Sequence, residues 1–404
     1  MEYLVGSPFR RRDEGLYFLA VMAGGLAVAM VDSSFNNFLA ATWDISGLAR
    51  SSLELPRELP GFLNAFVAAL LAFLPGRRIG AFSFLLQALG IYLLASFSAT
   101  FGHMTFWLFT YSLGLHLFLP LQQSIALELA SSGAEGALLG KANALRNLAQ
   151  IAGGAFVFIA FGFFKLSFAA NFLLAALVFA AGALALFGMS RPVRDKNAEA
   201  LVFKRRYGLF YILSILYGTR KQLFITFAPW VIVSVYHKPT SIMAALYFAG
   251  GIAGVLFQPF IGRAVDKRGE RFMLGLEALL LIPVCFFYGF AKIIFPEAIA
   301  FIIVCLCYVA DSLLLSFSVA RSVWMKKIAE KPGDIAPTLA MGVSIDHIFS
   351  IAVALLAGLL WDKFGYQWVF LAGAGIAVIN FIATRFVRVP DTSAVDPLTA
   401  EKTT

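Results

Sequence analysis

Apolar runs long enough to cross a bilayer follow one another along almost the whole chain, with only short polar breaks between them. A helix needs about 20 mostly apolar residues to cross the hydrocarbon core. Runs of that size occupy 16–41, 59–76, 79–99, 105–130, 141–164 and 167–188, then 207–236, 242–262, 272–291, 298–325, 338–361 and 367–386. A soluble surface has to be covered with polar groups, so a soluble domain cannot carry this pattern. The composition agrees: 60% of the 404 residues are hydrophobic and 14% are charged, where soluble domains have about 45–50% and about 25%. The first run follows Arg10–Arg12 and is too long for the apolar region of a cleaved signal peptide, about 7–15 residues. It reads as a retained span.

The expected fold class is therefore an all-α membrane protein with twelve transmembrane helices in two pseudo-symmetric six-helix halves. Residues 1–189 form the first half, 190–206 a charged cytoplasmic linker and 207–388 the second half. The polar stretch 389–404 reads as a disordered cytoplasmic tail. Two echoes support a duplication. Asn143–Asn147 matches Val343–His347, and Gly76–Arg77–Arg78 matches Gly269–Glu270–Arg271. Duplicated halves are a common construction among transporters.

Basic residues set the orientation, because Lys and Arg concentrate in cytoplasmic loops. With the N-terminus inside, 22 of the 32 Lys and Arg fall on the cytoplasmic side, six outside and four within spans. Arg50 and Arg57 count among the outside charges. Both termini are expected in the cytoplasm of a bacterial inner (cell) membrane. The formal net charge of +9 is spread over these short runs and forms no stripe, so no nucleic-acid partner is expected.

One loop narrows the fold further. Between the eighth and ninth runs stands Gly262–Arg–Ala–Val–Asp266–Lys–Arg–Gly269–Glu–Arg271. With six runs on either side of a linker, this segment resembles the cytoplasmic loop signature of the major facilitator superfamily. The resemblance covers roughly 14–388. It implies an alternating-access transporter in which the glycines allow a tight turn and close helix approach, and Asp266 caps or charge-pairs a neighbouring helix end. Arg146 is assigned with this group to gating and structure. The first-half copy departs from the pattern, with Ala69 and Phe73 where the first glycine and the aspartate would stand.

A charge near the bilayer centre normally faces a cavity or a partner. Asp32, Arg220, Lys221 and Asp311 lie deepest in their runs, on spans that line the central cavity if the resemblance holds. Asp32 and Asn36 share a helix face, and Asn37 and Ser33 widen it. Two adjacent cations, Arg220 and Lys221, require carboxylates or an anionic ligand. The expected solute contacts are Asp32, Asn36, Arg220, Lys221 and Asp311, with internal ion pairs to Asp32 or Asp311 as the alternative for the two cations. Asp346 and His347 form a candidate proton relay, since histidine titrates near neutrality. His116 stands isolated in its run.

No cofactor is expected, and no metal, because the chain lacks three or four ligands at the spacing of a metal site. The cysteines Cys285, Cys305 and Cys307 all fall inside apolar runs. The absence of HExxH and GxSxG motifs argues against an enzyme. The function expected is secondary transport of a small organic solute, anionic or zwitterionic, with protons as a candidate coupling ion, by a monomer. Efflux of apolar or cationic compounds is the alternative within the class, and a channel or non-transporting receptor the alternative outside it.

Overall fold

The computed structural model describes residues 8–70, 75–130, 135–190, 204–330 and 334–388. They are helical, with no strand among them. The helices are α1 (Pro8–Thr42), α2 (Gly47–Ser52), α3 (Glu54–Leu70), α4 (Gly76–Phe97), α5 (Phe101–Leu129), α6 (Glu135–Gly162) and α7 (Phe168–Phe187). They continue as α8 (Gly208–Trp230), α9 (Thr240–Arg268), α10 (Glu270–Ile294), α11 (Glu297–Leu314), α12 (Ser318–Ile328), α13 (Ile335–Phe364) and α14 (Tyr366–Thr384). Among the described residues nine helical segments are long and apolar enough to cross a membrane, α11 and α12 counting as one. Outside the nine, among the longer helices, are α3, only 17 residues long with Glu54, Arg57 and Glu58 near its start, α5, and α8, with Arg220 and Lys221 at mid-length. The linker 191–203 and the tail 389–404 lie outside the described residues.

Helix boundaries follow local chemistry. Ser46, Thr100 and Ser167 cap α2, α5 and α7 by accepting the backbone N–H three residues on, which satisfies one of the orphan donors of a first turn. Pro229 has no N–H to give its helix. Just beyond it α8 widens into a π turn over Val231–Val235, closed by Tyr236 N–H to Val231 O at 3.1 Å. The tenth apolar run was expected as one helix. It is broken between α11 and α12 by a 3₁₀ turn at Leu315–Phe317.

Buried apolar residues form two clusters. One gathers Tyr17 to Met189 from α1–α7 with Trp230 and Ala244, and the other gathers residues from Tyr207 to Val387. Outward-facing Phe163, Leu177 and Leu184 are largely exposed, as lipid-facing side chains would be. Lipid removes most of the hydrophobic drive for helices to associate, so close approach has to come from small residues. On α1 and α6 it does: a Cβ on Gly25 would stand 2.6 Å from Arg146 O, and one on Gly153 2.6 Å from Leu26 O.

Ion pairs tie helix ends together on the face that carries both described termini. Arg77, only 1% exposed, donates to Asp13 at 2.5 Å and Glu128 at 2.7 Å, joining the starts of α1 and α4 to the end of α5. At the matching position of the second cluster Glu270 is equally buried and accepts from Lys327 at 2.5 Å, so the charges are exchanged. Nearby, Glu330 is held below the ordinary carboxylate range by hydrogen bonds from Lys204 and then Arg206.

The opposite face, which carries the loops, is where the two clusters close on each other. Asn37 Nδ2 donates to Lys238 O at 2.9 Å, and Leu48 N–H to Asp362 Oδ2 at 3.1 Å. Gly47 packs on Trp361 and Gly358 on Ser51, so tightly that a Cβ on either glycine would overlap its neighbour.

The signature loop contributes less than expected. Gly269 does make the turn, ending α9 with φ +80°, a conformation open chiefly to glycine. Among the described residues nothing lies within 4 Å of where a Gly262 Cβ would stand. Arg271 is exposed. The side chain of Asp266 lies outside the described residues.

Candidate functional site

Between the clusters lies a cavity of about 680 Å³, walled by α1, α3, α5 and α6 on one side and by α8, α9 and α11 on the other. Its floor, toward the loop face, is a polar lattice. Glu54 stands fully buried at the start of α3 and accepts Arg50 at 2.7 Å, Arg57 at 3.5 Å and Gln222 of α8 at 2.9 Å. Arg50 also donates to Asn36 Oδ1 at 2.8 Å. Arg50 and Arg57 were expected in an outside loop. Instead α2 packs against α13 with Arg50 fully buried, and Arg57 stands on α3 facing the cavity.

Asp32 and Asn36 meet the cavity together, as their four-residue spacing on α1 predicts. The wider polar face does not form. Ser33 and Ser34 turn back to the carbonyls of Ala29 and Met30, and Asn37 reaches Lys238. Asp32 remains 34% exposed and only loosely paired, 3.9 Å from Arg57.

Arg220 and Lys221 depart from their expected place in the solute site, because each has carboxylates within reach. Arg220 is 1% exposed and donates to Asp311 at 2.5 Å and to Glu277 at 2.9 Å. Lys221 turns to Asp346 on α13 at 2.9 Å, and Asp346 also accepts from Ser350 at 3.2 Å. Neither cation lines the cavity, while Asp311 does. Gly218 permits the pairing of Lys221 with Asp346, since a Cβ there would overlap the Asp346 carboxylate.

Asp346 and His347, adjacent in sequence, serve different partners. His347 Nδ1 meets Glu58 Oε2 on α3 at 2.5 Å, and its ring centroid lies 5.1 Å from that of His116. Glu58, assigned to no role from sequence, therefore joins two helices of opposite clusters, and His116 is far from isolated.

Arg146 differs from every other charge in the wall. It lies on α6, lines the cavity and, among the described residues, has no carboxylate within 4 Å. Its Nε is buried without a hydrogen-bond partner. Tyr247 of α9 lies within electrostatic range of both Arg146 and Asp32, and Asn147 and Gln150 stand beside it in the wall. Expected among the gating and structural residues, Arg146 stands in the cavity wall. The sequence places Arg146 with the gating charges rather than in the solute site, because a missing partner leaves no local signal.

The sequence matches the family model described as Major Facilitator Superfamily over residues 15–344. Among solved structures, the nucleoside transporter NupG superposes with a TM-score of 0.74 at 15% identity, covering 94% of this chain and 98% of that one. A D-xylose–proton symporter gives 0.71 at 13%, covering 95% and 98%. A bacterial homologue of the human lysosomal transporter Spinster, in an inward-facing and occupied conformation, gives 0.71 at 14%, covering 95% and 97%. No curated protein matches by sequence.

Proposed function

The chain belongs to the major facilitator superfamily of membrane transporters, and on that premise we propose that it is a secondary transporter for a small anionic or zwitterionic organic solute. It works by alternating access between two six-helix halves, the twelve spans being α1, α3–α10, α11 with α12, α13 and α14. The division of the buried apolar residues into two clusters supports these halves. Closure at the loop face supports a state open toward the face with both termini, which the distribution of Lys and Arg makes cytoplasmic.

One observation carries the choice of solute. Around the cavity Asp311 is neutralised by Arg220, Glu58 meets His347 and Asp32 faces Arg57. Of the Lys and Arg side chains in the cavity wall, Arg146 is the one left without a carboxylate among the described residues. A buried donor left without a partner, as the Arg146 Nε is, is costly, and an anionic solute group is the partner that removes this cost. The carboxylate Asp32, partly open and loosely held, is placed for the ammonium group of a zwitterion or for a proton. Apolar or cationic efflux, the other reading, would leave Arg146 unmatched.

The test is counterflow of carboxylates, phosphate esters and amino acids in proteoliposomes, after a thermal-shift screen, since a ligand well above its dissociation constant stabilises the fold. Saturable exchange of an anionic or zwitterionic solute supports the reading. Exchange confined to cations or apolar drugs defeats it. Reporter fusions at Asn197 and at the C-terminus test the orientation, and both should report cytoplasm.

A further inference from the structure

Three side chains with metal-ligand chemistry meet between α3, α5 and α13. Glu58, His116 and His347 each offer one ligand atom, and these atoms lie within 4.8 Å of one another. We propose that the cluster binds a divalent transition-metal ion of the zinc type, and that the bound ion clamps α13 to α3 and α5 and arrests transport.

The donor set suits such an ion. Two imidazoles and a carboxylate with an open fourth position form a recurring zinc arrangement, and imidazole favours zinc, copper and nickel over magnesium or calcium. His116 already has the outer support of a metal-bound histidine. Its Nδ1 lies 3.0 Å from Ser112 O, which sets that nitrogen as donor and leaves Nε2 for the ion. At His347 the ion takes the place of the hydrogen bond between Nδ1 and Glu58, and the neutral ring keeps its one proton on Nε2.

Space and access are present as well. Gly61 lies one turn beyond Glu58. A Cβ there would stand 2.8 Å from His116 Cδ2 and 2.9 Å from His347 Cε1, so the glycine keeps the ground between the rings open. Glu58 and His116 also line the cavity, through which the ion and a completing water can enter. The nearest cations are already engaged, Lys221 by Asp346 and Arg57 by Glu54 and Asp32, which leaves the Glu58 charge for the ion.

The clamp rests on the alternating-access reading, because α3 and α5 belong to one cluster and α13 to the other. An ion joined to both resists their separation. The site itself does not depend on that reading.

The experiment uses tag-free, full-length protein carrying His103→Gln and His237→Gln, which leaves two of the four histidines. Titration with Co²⁺ should give the visible absorption of tetrahedral cobalt, saturating at one ion per chain and displaced by Zn²⁺. Losing even an outer-shell partner weakens metal sites about 10–100-fold, so His116→Gln or His347→Gln should weaken binding at least that much. Metal-free melting curves identify any variant that fails to fold, and the parent spectrum needs neither variant. Absence of a saturable tetrahedral band in the parent, or its survival when His116→Gln and His347→Gln are combined, overturns the site. For the clamp, Zn²⁺ should stop flux over the concentration range in which it displaces Co²⁺, and a chelator should restore it. Flux that continues with the site filled overturns the clamp. A cationic substrate would overturn the proposed function alone and leave the metal titration unchanged.

Discussion

Arg220 on α8 donates to Asp311 on α11 at 2.5 Å, within a polar triangle that Glu277 of α10 completes at 2.9 Å. The triangle fastens three helices of the second cluster and lies behind the cavity surface, with only Asp311 among the lining residues. A cation in the middle of an apolar run thus has an internal explanation. That explanation moves solute recognition to the charge without one, Arg146.

Arg220→Gln should therefore unfold the protein more readily without changing what the folded fraction binds. Removing one partner of a buried pair costs about 3–5 kcal/mol. Thermal melting in detergent reads the loss, and equilibrium binding to the folded fraction should stay within about two-fold, far below the ten-fold that 1.4 kcal/mol would produce. An unchanged melt with a ten-fold weaker affinity would return Arg220 to the solute site.

Arg146→Gln should show the reverse pattern. A charge-assisted hydrogen bond contributes about 1.5–3 kcal/mol, so affinity for an anionic solute should fall at least ten-fold. Melting without ligand should hold or rise, because the native side chain buries an unpaired Nε. Unaltered affinity would show that the anion lies elsewhere.

Arg77→Gln tests the lattice on the terminal face. With both carboxylate partners left behind, the loss should again be about 3–5 kcal/mol. Because the groups share one network, Arg77→Gln with Asp13→Asn should destabilise less than the two single changes added together. Additive losses would argue that Asp13 and Arg77 are not coupled.

Gly358→Phe should hold the loop face open. Gly358 packs on Ser51 so closely that any side chain forces α13 from α2. Transport should stop. A cysteine placed at Asn36 should become reactive to a membrane-impermeant thiol reagent applied from the loop face. Cys285 and Cys307 are buried and Cys305 is half-buried, which keeps the background low. Normal flux in this variant would mean that closure at α2 is not required.

The sequence by itself determined the solvent of this protein, its helices and its family. Each follows from a property of a short stretch. A run such as 168–187 has to be a helix in lipid because no water is there to satisfy its backbone groups, and the signature around Gly269 is read within ten residues. Pairing of Asp32 with Asn36 on one face was legible for the same reason, since four residues of helix fix it.

Only the tertiary structure decided which charges are satisfied and which are free. Arg220 finds Glu277 57 residues away and Asp311 at 91, Lys221 finds Asp346 at 125, and His347 finds Glu58 at 289. Sequence marks each of these as a costly charge within an apolar run. Whether the cost is met by a neighbouring helix, a metal ion or a solute depends on helix rotation and on the small residues that set how closely helices approach. Gly218 and Gly61 make room for two of these meetings, and no periodicity announces them. In sequence Arg146 stood with the gating charges, outside the expected solute site. It differs because no described carboxylate from another helix arrives beside it, and that absence exists only in three dimensions.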